Sequence, residues 1–162
     1  MAVFLPAREI LRKIAALRPA ERRFAAAAWL LAPAVEISLA ALGLRRTLAW
    51  IERFGPRSPW GATGIGAHDG AGLVDRAYRL HLLRGRCLPR ALVQYGLHRR
   101  DGRPVRFVVG VKRGAAACPA PHEPLPIEAH AWVEDVAPGA ADPSPARNGS
   151  FQPLLDRRYV PR

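Results

Sequence analysis

Residues 84–113 read RGRCLPRALVQYGLHRRDGRPVRFVVGVKR, and the period of the pattern changes within them. Residues 88–100 read as a helix that stops at Asp101-Gly102, a turn pair. From there Val105, Phe107, Val109 and Val111 alternate with Arg106, Val108, Gly110 and Lys112, the two-residue period of a strand. After a Pro-rich stretch at 113–126, a second alternation begins. Ile127, Ala129, Ala131 and Val133 alternate with Glu128, His130, Trp132 and Glu134. Residues 137–150 read as loop, and 151–160 as a short last strand or a segment docked on the core. Helices followed by helix, strand, strand point to an α+β fold with one antiparallel sheet.

Upstream the chain is helical and Ala-rich. Residues 6–17 place Ile10, Leu11, Ile14 and Leu17 on one face. Pro19 suits the first position of a second helix, expected to run to residue 31. Pro33 is expected to open a third, to residue 54. The Gly- and Pro-rich stretch 55–72 reads as a boundary loop, and 73–83 as a further helix. Its GxG elements do not follow a strand, which argues against a phosphate loop. These readings divide the chain into an N-terminal helical region, 1–57, and a second domain, 58–162.

The chain has 162 residues and a net charge of +12. Ala, Arg, Pro and Gly make up 82 of the residues, and two Cys cannot staple a fold of this size. Large apolar side chains are too plentiful for full disorder. The charge is uneven: +6 on residues 1–60, +8 on 61–114 and −2 on 115–162. The run His98, Arg99, Arg100, Arg103, Arg106 carries no aromatic interleaving, so it reads as a solvated face and no nucleic-acid partner is expected. The N-terminus lacks a basic region ahead of an apolar run, so no secretory signal is expected. Residues 24–44 have the length of a bilayer span, flanked by Arg22, Arg23, Arg45 and Arg46. Glu36 and Pro33 interrupt them, and a central carboxylate costs roughly 3 kcal/mol on insertion scales. Helices packed on the domain or on a partner are therefore expected, without membrane contact, in a cytoplasmic protein.

Two residues could carry chemistry together. Cys87 stands at or just before the start of the 88–100 helix, where unpaired N–H groups and the helix dipole favour a thiolate. Arg84, Arg86 and Arg90 add positive charge nearby. His130 shares a strand face with Glu128, Trp132 and Glu134, away from the aliphatic face. A Cys at a helix N-terminus packed against a strand His is the layout of papain-like thiol enzymes. Asp142, Asp135 and Glu134 are candidates to orient the ring. Trp132 would shield the site or simply fill the core. The spacing of Cys118, His122 and His130 does not suit zinc, so neither metal nor cofactor is expected, and a Cys87–Cys118 disulfide is not expected in the cytoplasm. His68, His81 and His98 read as surface or boundary residues. Trp29 and Trp50 read as core or partner-facing.

The succession RCLPRAL (86–92), HRRDG (98–102), VRFVVGVKR (105–113) and EAHAWVE (128–134) resembles the leader peptidases of lasso-peptide biosynthesis. These are the cysteine-protease half of a split maturation protein, with a transglutaminase-like fold. The resemblance spans about residues 70–160 and implies Cys87 as nucleophile and His130 as base. It implies an Asp after the HAWVE strand as third member. Asp142 fits that spacing best, although VAPGAADPSP replaces the family's tight Gly turn. The implied function is removal of the leader from a ribosomally made precursor before macrolactam formation. The implied partners are the precursor's leader region, a small leader-recognition protein and the ATP-dependent lasso cyclase. The alternatives are a transglutaminase-like acyltransferase using the same triad, and a non-catalytic basic scaffold that binds acidic peptide.

Overall fold

The computed structural model describes residues 16–53, 63–80, 86–113, 127–136 and 151–160. They form three helices, α1 (Pro19–Arg53), α2 (Ala67–Leu80) and α3 (Cys87–Arg100), and three strands, β1 (Val105–Arg113), β2 (Ile127–Asp135) and β3 (Gln152–Tyr159). The order is that of an α+β domain with one antiparallel sheet, as the change of period at Asp101-Gly102 indicates. Gly102 has φ 70°, so this turn needs a residue without a Cβ. The helix expected over 6–17 lies largely outside the described residues.

The first helix departs from the expected pair. It continues through Pro33 and breaks at Gly43 instead, where φ is 74° and ψ 174°, a region open essentially to glycine alone. Phe24, Ala28, Ala32 and Val35 are buried along one stripe of the first limb. That packing spans Pro33 and holds the helix together despite the lost backbone bond. The break is sharp. Ser38 Oγ and Thr47 Oγ1 lie 3.0 Å apart, whereas residues nine apart in a straight helix are separated by about 13 Å along the axis. The two limbs therefore fold back on each other. Thr47 also donates to the Gly43 carbonyl at 2.9 Å, covering an acceptor the break frees. By length and composition α1 could cross a membrane, with a mean hydropathy of 1.8 over its best 18-residue window. The break at Gly43 divides it, and only the limb before Gly43 reaches the length of about 20 residues that a span needs.

The second helix starts six residues earlier than expected, inside the stretch read as loop. The Asp135 carboxylate accepts the Ala67 N–H at 2.8 Å, and the Gln94 side chain donates to the Ala67 carbonyl at 2.6 Å. These tertiary bonds fix the helix start, and the glycines at 70 and 72 do not prevent it. Gly70 is required by packing: an added Cβ would stand 2.7 Å from His98 Nε2.

The sheet order is β2-β1-β3. Val105, Phe107, Val109, Ala131, Val133, Leu155 and Tyr159 turn toward the helices and join one core with Phe24, Leu48, Ile51, Tyr78, Leu92 and Tyr95. The described part of the helical region 1–57 thus shares its core with the rest of the chain. Against β3 the ladder slips by one residue. Val109 pairs with Leu155, but Gly110 pairs with Pro153, which leaves Leu154 as a bulge.

The basic run does not form a solvated face. His98 is fully buried, beside the Phe24 ring at 5.3 Å. Arg99 lies 4.2 Å over the Tyr159 ring, and Arg103 bonds Asp135. Arg106 makes a two-point contact with Asp156, at 2.8 and 2.7 Å. Helix α3 is buried on most sides, and within this run only Arg100 is exposed. His98 in consequence is no surface or boundary residue.

Candidate active site

Cys87 is the first residue of α3. Arg86 caps the helix with extended backbone and no side-chain hydrogen bond, and the first turn holds no acidic residue. The early N–H groups are therefore not quenched by a capping carboxylate or hydroxyl, and their partial positive charge faces the thiol. Pro89 adds to the design, since it fits the first turn without an orphaned N–H. The thiol is free and half-buried. Arg90 contributes less charge than the sequence suggests, because its guanidinium bonds Asp75 at 3.0 Å and lies over the Tyr78 ring. Arg84 lies outside the described residues.

The Cys87 sulfur makes a long contact, 3.9 Å, with the carbonyl oxygen of Ala129. Among the described residues β2 is an edge strand, so the α3 N-terminus meets the strand beside its free side. His130 is the next residue. Its register partner is Gly110, which puts it on the face away from the helices, together with Trp132 and Glu134. The imidazole stacks on Trp132, with centroids 5.8 Å apart and planes at 17°. Phe151 lies against it at 5.7 Å and 43° and against Trp132 at 6.1 Å, so the three rings form one cluster. The structure thus brings Cys87 to the residue adjoining His130. The thiol contact is with the Ala129 carbonyl and not with the imidazole.

Asp142 lies outside the described residues, as do Cys118 and His122. The two other carboxylates are occupied elsewhere. Asp135 points to the helical side, accepts from Ala67 and pairs with Arg103 at 3.1 Å. Five residues of strand, about 16 Å, separate it from His130. Glu134 shares the face of His130 but sits about 13 Å along it. It accepts from Trp132 Nε1 at 2.6 Å and lies near Arg106. No group of three or more His, Cys, Asp or Glu able to hold a metal occurs among the described residues.

A family model described as "Transglutaminase-like superfamily" matches residues 29–156. The chain belongs to the transglutaminase-like superfamily. The match includes most of α1 and all of the sheet's first two strands, so both Cys87 and His130 fall inside it. Superfamily members are typically cysteine-based enzymes, either proteases or acyltransferases. A search of curated proteins and of solved structures finds no match.

Two residues around the imidazole were not singled out from the sequence. Gly110 was legible, because a glycine inside an alternating strand marks a close backbone approach. An added Cβ would meet the Trp132 ring at 2.9 Å and Phe151 at 3.0 Å. Phe151 was not, since its position depends on the bulge.

Proposed function

We propose that this protein is a cysteine endopeptidase that removes the leader from a ribosomally synthesised lasso-peptide precursor. The observation that carries the catalytic part is the placement of Cys87 at an uncapped helix N-terminus, its sulfur against the strand residue adjoining His130. The order of RCLPRAL and EAHAWVE supports the choice of pathway. Cys87 attacks the carbonyl at the leader–core junction. His130 takes the thiol proton and returns it to the leaving amine. Asp142, on the segment between β2 and β3, orients the imidazole. The Cys87 N–H, at the head of α3, donates to the developing oxyanion. The reaction belongs in the cytoplasm, with a small leader-recognition protein delivering the precursor and the cyclase acting on the product.

Incubation with precursor peptide and the leader-binding partner tests this. Cys87→Ala and His130→Ala abolish cleavage, and Asp142→Ala lowers it strongly. Cleavage retained by either of the first two variants sinks the triad. The superfamily assignment equally admits acyl transfer to an amine. Mass spectrometry separates the two: hydrolysis adds one water across the cut, and transfer yields a new amide.

A further inference from the structure

The imidazole of His130 is one corner of a three-ring cluster with Trp132 and Phe151, and two sequence irregularities build it. On β1, the strand alternation places a glycine, Gly110, directly opposite His130. The Trp132 ring lies across that glycine, so close that a Cβ would stand 2.9 Å from it. On β3, the Leu154 bulge changes which face later residues occupy. With an unbroken ladder, Phe151 would fall on the same face as Leu155, toward the helices. With one extra residue it falls on the face of His130. There it contacts His130 at 5.7 Å and Trp132 at 6.1 Å, and Lys112 Nζ lies 5.0 Å over its ring.

We infer that Phe151, delivered by the Leu154 bulge, is a positioning residue for the His130 imidazole. It rests on the reading of His130 as the catalytic base. An imidazole on an open sheet face would sample several rotamers, each of which must be given up in the transition state. Two rings in contact with it restrict those rotamers, and Gly110 leaves room for Trp132 in the cluster. A small misplacement of a catalytic group is enough to lower turnover severely. Phe151 acts through the ring it holds and takes no part in proton transfer.

Phe151→Ala, Phe151→Tyr and His130→Ala are compared for peptide cleavage, for the pH dependence of Cys87 alkylation by iodoacetamide, and for the NMR titration of the His130 ring. The alanine variant is expected to lose about tenfold in kcat with KM nearly unchanged, a part of the 10²–10⁴ that a positioned base contributes. Its alkylation profile shifts, and the His130 resonance moves as the ring current is removed. The tyrosine variant restores all three. Deleting Leu154 is expected to mimic Phe151→Ala although the phenylalanine is still present. Thermal melts verify that each variant is folded. A Phe151→Ala variant with wild-type kcat and alkylation profile overturns the inference, as does a change confined to KM, which would make Phe151 a peptide contact. Cleavage surviving in His130→Ala overturns the underlying reading instead. The NMR shift reports on the ring cluster independently of either.

Discussion

At the residue scale, His98 shows how far a local reading can miss. It follows the helix pattern of residues 88–97 and precedes two arginines, so the sequence makes it look like part of a basic face. The structure buries it completely, between Phe24 and Gly70. Burial pushes its pKa down to about 4, with the Asp135 carboxylate opposing and the Arg103 guanidinium reinforcing the fall. Both ring nitrogens lack a hydrogen-bond partner, which fits a neutral ring held by packing. Above pH 6.5 the ring is neutral in both the folded and unfolded states and costs nothing. As pH falls below 6.5 the unfolded chain binds a proton that the native state refuses, so stability drops until about pH 4. The loss is on the order of 3 kcal/mol in full. Urea unfolding at pH 7, 6 and 5 measures it, over a window still above most carboxylate titrations. The wild type should weaken by more than the His98→Leu variant does, and parallel slopes would remove His98 as the cause. Gly70→Ala is expected to cost about 1–3 kcal/mol at any pH, because the ring it would strike is packed on all sides.

At the scale of elements, the sequence was most legible where a period could be read. The strands β1 and β2 were apparent from alternation, and the helix carrying Cys87 was apparent from its stop at Asp101-Gly102. Helix ends decided by tertiary bonds were not. The Asp135 carboxylate that starts α2 is 68 residues away from Ala67, and no local signal announces it. The same tertiary logic explains α1, where packing overrides Pro33 while Gly43 makes the break. Replacing Gly43 by alanine therefore tests the hairpin. No atom lies within 4 Å of the added Cβ, so its cost is backbone strain alone, about 1–3 kcal/mol. The expected drop in Tm should exceed that of Gly72→Ala, which meets open space in a helical conformation. Equal Tm values for the two variants would mean that Gly43 is not held in this conformation in solution.

At the scale of the whole molecule, composition divides the chain near residue 57 but the core does not. Phe24, Val35, Leu48 and Ile51 of α1 are each at most 4% exposed, and they belong to the same cluster as Tyr78, Leu92 and Phe107. Leu31 and Ile51 also approach α3 at Gly96, where an added Cβ would stand 3.3 Å from Ile51. Each buried side chain of this size contributes about 1.5–3 kcal/mol. Four of them match a large share of the 5–15 kcal/mol by which a domain is usually stable. The family match beginning at residue 29 agrees with that accounting. The alanine-rich composition hid this, because small residues along one stripe signal a close helix contact only when the partner helix is known. A chain beginning at residue 58 is therefore expected to lack a cooperative thermal transition and to be cut rapidly by protease. One beginning at residue 16 should melt as a single unit. Calorimetry and limited proteolysis of the two decide it. A sharp melt from residues 58–162 alone would show that the part bearing Cys87 and His130 is an independent domain, and that α1 is a docked accessory rather than a wall of its core.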